Sequence, residues 1–450
     1  MTSRTSPRIL SLAALVSVTC LLVGCPPNPT PPVPRPVANA GPDQTVSVGD
    51  EVTLDGSASA PSRAGTLTFT WQQLAGTPVV LDNPHEPIAT FLAPDSPTIL
   101  TFQLIVTEST GRSAEDTTQV TVEGAPPPIP EAILYVANAA GGSVTAYGFD
   151  VPFQLDGDLP PAAELIGPIN TAVNIPTAVV IENTGTLLVY NAGTPSITGY
   201  PDALTLVTID GDRPPTRVIQ GAATNLVGPA AMAYDAANDV LFVADADTDV
   251  MNVFANASLP FSGNVAPTRV IDSPDVAFPR GLSLGSNGEL YVANGLDVDS
   301  VAVFDNAATL DGAVFAARLI RSPAFEDLFD AFIDVNNTLY VVNGAGGGNQ
   351  ISIFANALTL DGEFLPDAIV TVIGAVNLSA IIVDADGNAY IADPDNNAIY
   401  GYNKLVMRDG LALPDRTLRG PATGLAGPLR MFLVDWTTCA TNQLPALSTP

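Results

Sequence analysis

The sequence predicts an all-β chain in which a small β-sandwich precedes a six-bladed β-propeller, and three observations carry that prediction. An apolar strand ending in Asn or Asp recurs six times, as Leu134–Asn138, Leu187–Asn191, Leu241–Asp245, Leu290–Asn294, Leu339–Asn343 and Ala389–Asp393, at spacings of 49 to 54 residues. A fixed period in this range, built from strands without a helical pattern, marks radially repeated sheets. Ahead of the repeats, short alternating strands with turn punctuation describe a two-sheet sandwich. Finally, the first repeat lacks an inner strand and the chain ends with a spare one at 429–434, so joining the two closes a ring and removes its open edges.

The bulk numbers suit a folded chain with an acidic surface. The 450 residues are 46% hydrophobic and only 14% charged, with 46 acids against 16 bases and a formal net charge of −30. Lys404 is the single lysine. With no cluster of cations to displace counterions from a phosphate backbone, nucleic acid is excluded as a partner. The charge instead suits solubility in a salt-screened compartment, or weak association with cations.

Residues 1–25 read as an export signal. Arg4 and Arg8 supply a positive flank, and Ile9–Val23 is an apolar run of 15 residues, too short to cross a bilayer core of ~30 Å as a helix. It ends at Leu22-Val23-Gly24-Cys25. This resembles a bacterial lipobox, in which small residues precede a cysteine that is lipidated and becomes the new N-terminus; an ordinary secretory signal is the alternative. The resemblance implies an exported lipoprotein anchored to the membrane at Cys25 and facing the periplasm or cell surface. Pro26 rather than Asp after the cysteine implies the outer membrane if the host is Gram-negative. Cys20 leaves with the signal and Cys25 carries lipid, so Cys439 has no partner for an intramolecular disulfide.

Pro26–Pro36 is proline-rich and favours an extended polyproline stalk, about 34 Å long at about 3.1 Å per residue. Residues 37–123 form the sandwich. Within them Ala38-Asn-Ala-Gly-Pro-Asp43, Leu54-Asp-Gly-Ser-Ala-Ser59, Trp71-Gln-Gln73 and Leu104-Ile-Val-Thr-Glu108 followed by Gly111 resemble the polycystic-kidney-disease (PKD) type of immunoglobulin-like domain. The segment departs from that family at Glu108, where Asp is usual. The resemblance implies a spacer or contact module without catalysis. Trp71 is expected to fill the core between the sheets, and His85, the sole histidine, to be exposed in a proline-rich turn. A short proline-rich linker at 124–131 separates the sandwich from the repeats.

Residues 132–438 form the propeller, closed by 429–434, with 439–450 as a tail. The third unit reads as strands at 229–234, 241–244, 251–254 and 268–271, and the fourth as 281–284, 290–293, 301–304 and 317–320. Asp386-Gly-Asn-Ala-Tyr-Ile-Ala-Asp393 followed by Asn396-Asn-Ala-Ile399 resembles the NHL repeat, whose members form six-bladed propellers. Shared tails such as Phe304-Asp-Asn-Ala-Ala-Thr-Leu-Asp-Gly312 read as turns.

Three constellations could carry function. Asn138, Asn191, Asp245, Asn294, Asn343 and Asp393 recur at one step of every blade and so lie on one face, either holding local turns or forming a polar binding face. Asp245, Asp247 and Asp249 cluster oxygens that could hold calcium, although the spacing is not that of an EF-hand, since Asn256 stands where that loop needs a bidentate acid. Arg280 and Arg430 stand near prolines at the mouths of inner strands in blades four and one, which face each other across the axis. The expectation is that both flank the tunnel opening and hold an anion such as a carboxylate; pairing with nearby acids is the alternative. With no histidine beyond His85, the repeats hold neither a Ser-His-Asp triad nor a histidine-ligated zinc site. The reading is therefore a binding or interaction scaffold for an unknown protein or carbohydrate ligand, with no cofactor beyond calcium. A metal-dependent lactonase or lyase, as implied by six-bladed relatives, is the alternative.

Overall fold

The computed structural model describes residues 34–123 and 130–435, apart from 150–154, 168–169, 207–208, 260, 296–297, 345 and 347. The signal, the lipobox, Cys20, Cys25 and Cys439 lie outside the described residues, as do most of the stalk and linker. The chain divides into two compact units, Met1–Pro127 and Pro128–Pro450. Among the described residues no helix is long and apolar enough to cross a membrane.

In the first unit one sheet orders Gln44–Ser47, Ser113–Glu123, Thr98–Glu108 and Leu67–Ala75, and a second pairs Glu51–Asp55 with Ile88–Leu92. Strict alternation puts Val52, Leu54, Phe91, Phe102, Leu104 and Val106 between the sheets, around Trp71 at 3% exposure. His85 is exposed. Glu108 reaches across to accept the amide of Ser62 through Oε1 and the hydroxyl of Thr110 through Oε2, so the longer acid fastens a neighbouring loop as well as its own turn.

The second unit is a ring of six blades. Blade one orders Pro428–Asp435, Ala132–Asn138, Ser143–Phe149 and Ala163–Leu165 from inside out, which brings the C-terminal strand against the first strand of the repeats. Blades two to six have inner strands Pro176–Ile181, Pro229–Asp235, Pro279–Leu284, Leu328–Ile333 and Ala380–Val383. Each inner strand packs on the next, and Pro428–Asp435 packs on the inner strands of both blade two and blade six, so the circle is complete. The second strands of the blades are wholly buried apolar runs, such as Leu290–Asn294 and Leu339–Asn343, as expected of strands covered on both faces.

A second closure runs around the outside. The segment after the third strand of each blade reaches back to the outer strand of the preceding blade. There the side chain of Asp156, Asp210, Ser262, Asp311, Asp361 or Asp409 accepts a backbone amide of that strand, over 2.9–3.1 Å. The glycine that follows pairs in parallel with the next residue of the strand. These six glycines have φ between 72° and 112°, a region open to glycine at no steric cost. The Asp-Gly pairs expected as turns are thus inter-blade clasps. Asp156 of blade one holds Thr417 of blade six, so the ring is sealed at its rim as well as at its centre. Arg217, Arg269 and Arg318 on successive outer strands add to the seam by donating to the carbonyls of Ala257, Ala308 and Ala357 in the following blade.

A chain stopped after Gly427 leaves blade one without its inner strand. We expect calorimetry on that chain to show the ring losing its cooperative unfolding transition while the sandwich keeps its own. An unchanged ring transition would contradict the closure. Asp361→Ala, which removes one solvent-exposed acceptor from the rim, is expected to cost about 0.5–1.5 kcal/mol in denaturant unfolding.

Candidate functional site

The inner strands approach the axis through a repeated irregularity. In blades one to five the pairing with the second strand skips one residue, at Leu429, Thr177, Ala230, Arg280 and Phe329. Such a bulge leaves one residue outside the ladder, and the carbonyls of Arg280, Phe329 and Leu429 point instead to the axis. Ser379 occupies the corresponding step of blade six.

One level further along the axis stand Ala178, Ala231, Gly281, Asp330, Ala380 and Arg430. Four small residues leave room there for two large ones. Arg430 lies in this space and donates through Nη2 to the carbonyls of Arg280 at 2.5 Å and Phe329 at 2.6 Å, and through Nη1 to the carbonyl of Ser379 and, at 3.3 Å, of Leu429. Asp330 faces it, with 3.9 Å between Oδ2 and Nη1, and accepts the amide of Ile381 at 3.1 Å. Its other oxygen lies against Gly281, where an added Cβ would stand 2.3 Å away. One buried ion pair therefore fastens blades one, four, five and six at the axis. Burial pushes the Asp330 carboxyl up from its ordinary value, with Arg430 pulling it back down, and burial lowers the Arg430 guanidinium against the pull of Asp330.

Arg280 is one step nearer the opening and does a different job. Its guanidinium lies between the rings of Phe278 and Phe329, 5.2 and 4.2 Å from their centroids, and donates to Asp327 at 2.8 Å. Gly295 makes space for it, since a Cβ there would come within 2.8 Å of its Cδ. The two arginines are thus not a facing pair at the tunnel opening. Pro428 aligns with Pro279, so Arg430 matches Gly281 rather than Arg280, and a one-residue offset along a strand sends a side chain elsewhere. Their side chains are only 13% and 16% exposed, and both are paired with acids.

Beyond this pair the axis holds a cavity of about 70 Å³ lined by all six inner strands, mainly by apolar residues such as Val179, Met232, Leu282 and Phe432. Ser283 accepts the amide of Ile333 across the blade four–five seam.

The six recurrent Asn and Asp residues do share one face, the face at which the inner strands begin. Every one of them is 0% exposed. Asn138, Asn191, Asp245, Asn294, Asn343 and Asp393 each accept the amide of the loop entering their own inner strand, from Ala426, Asn174, Val227, Ala277, Glu326 and Val376 respectively, over 2.6–3.3 Å. They anchor the loops from beneath, and the loops rather than these side chains meet solvent.

Asp245, Asp247 and Asp249 point three ways. Asp245 accepts the amides of Val227, Gly228 and Thr248, Asp249 accepts that of Phe278 in the next blade, and exposed Asp247 lies over Gly228. Among the described residues no group of three or more His, Cys, Asp or Glu side chains is placed to hold a metal ion.

Comparison with known proteins gives a family for the first unit. Residues 40–122 match the K319L-like PKD domain family. The solved PKD domain of the KIAA 1837 protein is similar at 26% identity, covering 20% of this chain and 89% of that one, with a TM-score of 0.18. Hydrazine synthase of Kuenenia stuttgartiensis is similar at 12% identity over 60% of this chain and 73% of that one, TM-score 0.41. Streptogramin B lyase is similar at 12% identity over 72% and 95%, TM-score 0.36. No curated protein matches the chain.

Arg430→Met leaves the axial carbonyls and Asp330 without their donor, and is expected to cost about 3–5 kcal/mol in denaturant unfolding. Gly281→Ala, which drives a methyl group into Asp330 and its backbone, should cost about 1–3 kcal/mol. The raised carboxyl of Asp330 means that the fold holds its proton more tightly than the unfolded chain. Wild type therefore loses stability relative to Asp330→Asn as pH climbs from the unfolded value, near 3.8, through the raised folded value, and the difference is constant below that window. Unfolding curves of both proteins across the acidic range check the sign.

Proposed function

We propose that the protein is a lipid-anchored scaffold of the cell envelope, in which the PKD domain serves as spacer and the NHL-like propeller offers one face to a protein or carbohydrate ligand. The carrying observation is the use made of the polar side chains at the ring's centre. The axial charges are committed to closing the ring and the recurrent Asn and Asp residues to holding loops, which leaves a rigid, loop-covered face suited to recognition. The PKD domain supports a contact or spacing role, and the acidic composition argues against a nucleic-acid partner.

Anchoring rests on Arg4, Arg8, the apolar run Ile9–Val23 and Leu22-Val23-Gly24-Cys25, with sorting to the outer membrane as the destination in a Gram-negative host. The test pairs wild type with Cys25→Ser in a bacterial host. Wild type is expected to fractionate with membranes and to incorporate labelled fatty acid, while Cys25→Ser loses the label. A labelled Cys25→Ser protein would remove the lipid anchor from the proposal. The soluble chain lacking residues 1–25 is expected to capture an envelope component without turning over lactones or polyuronides, and turnover lost on chelation would replace the scaffold with a metal-dependent enzyme.

A further inference from the structure

The face at which the inner strands begin has a chemistry that the opposite end of the ring lacks. It is built from the loops entering the inner strands and the turns between second and third strands. In those segments every charged residue is an acid, including Asp247, Asp275, Glu326 and Asp395. The connections at the other end mix signs, with Arg213, Lys404 and Arg408 among their acids. Arg280 and Arg430 do not offset the acidic loops, because both are largely buried and paired, and exposed Arg321 and Arg419 end outer strands, at the rim of this face rather than around its axis.

Around the axial opening the same loops present apolar side chains. Ile175, Val227 and Val376, each within four residues of an inner strand, are 47%, 52% and 50% exposed, and half-buried Phe278 stands between them in ring order. Their positions are fixed from below. The amides of Val227 and Val376 are held by buried Asp245 and Asp393, and that of Phe278 by Asp249. Ile175, a β-branched residue, is held at φ 50°, a conformation such residues rarely adopt. A collar of this kind loses little conformational entropy on binding.

We propose that this collar docks a cationic peptide segment of a protein partner, with apolar side chains against Ile175, Val227 and Val376 and Lys or Arg side chains against the surrounding acids. The inference rests on the scaffold reading and narrows it to one partner chemistry. Charge complementarity selects this occupant. A chain of net charge −30 whose loops at this face carry only acids repels anionic polymers and anionic lipid, while steering a cationic segment toward it.

The experiment measures binding of a short fluorescent peptide of alternating leucine and lysine to the purified protein by anisotropy, beside leucine–glutamate and serine–lysine peptides. The leucine–lysine peptide is expected to bind, the serine–lysine peptide to bind about tenfold more weakly for loss of its apolar contacts, and the leucine–glutamate peptide not to bind. Val227→Ser with Val376→Ser should weaken leucine–lysine binding about tenfold without changing the net charge. Glu363→Gln with Asp386→Asn, away from the collar, should leave it within about twofold. Equal affinity for the leucine–lysine and serine–lysine peptides, or equal loss in the two variants, would show only diffuse charge attraction and overturn the docking site. The peptide comparison needs no variant and decides the matter even if the valine substitutions prevent folding. Capture of an envelope component that ignores both peptide and valine variants would overturn this inference and leave the scaffold; no capture together with chelator-sensitive turnover would remove the scaffold itself.

Discussion

The ring depends on one buried ion pair. Inner strands that converge on an axis bring unpaired backbone carbonyls together, and carbonyls gathered away from water need donors. Arg430 supplies them, giving two guanidinium nitrogens to carbonyls from four blades. Asp330 balances its charge and reaches the backbone of blade six. The pair needs space at the axis, which Ala178, Ala231, Gly281 and Ala380 provide by being small. Since Arg430 rides on the closing strand, the same segment completes the sheet of blade one and satisfies the centre of the ring. One strand therefore serves both the closure and the filling of the centre.

The periphery solves the complementary problem. Outer strands expose one edge, and an open edge invites pairing with other chains. Here each edge is met by a clasp from the following blade, an acid or serine on the strand's amide and a glycine paired beside it. The clasp recurs six times, whereas the axial pair occurs once and ties only four blades. Blades two and three meet the axis with Ala178 and Ala231, and the cavity is correspondingly apolar on their side. The repeated residues give the ring its regularity, and the unrepeated ones give it an orientation.

This division explains why the face at which the inner strands begin is defined by its loops. The Asn or Asp at the end of every second strand is consumed beneath the surface, and what reaches solvent is what the loops carry. Those loops vary between blades. They are apolar at Ile175, Val227 and Val376, acidic at Glu326 and Asp327, and small at Ala426 and Gly427. A scaffold held by invariant buried acceptors can change its surface without changing its fold.

Much of the architecture was legible in the chain alone, because alternation, repeat length and the surplus strand at 429–434 depend only on local chemistry and counting. They were enough to place the strands of blades three and four within about two residues, and the four motifs of residues 37–123 pointed to the PKD-type sandwich. The sequence also located the recurrent Asn and Asp residues on one face. It could not say that they are buried, since burial depends on the loop that closes over each one, about 17 residues away in blade two and 288 in blade one. Nor did it separate Arg280 from Arg430, which stand one and two residues after their prolines: the bulge that follows each proline leaves Arg280 outside the ladder and Arg430 within it. The Asp-Gly pairs read as turns because their partners lie across a seam, on strands about 40 residues distant. Local pattern determined which residues form strands and how many blades they make. Tertiary structure alone decided which polar groups meet each other and which are left to meet solvent, because hydrogen-bond partners across blades are set by the register of the closed ring.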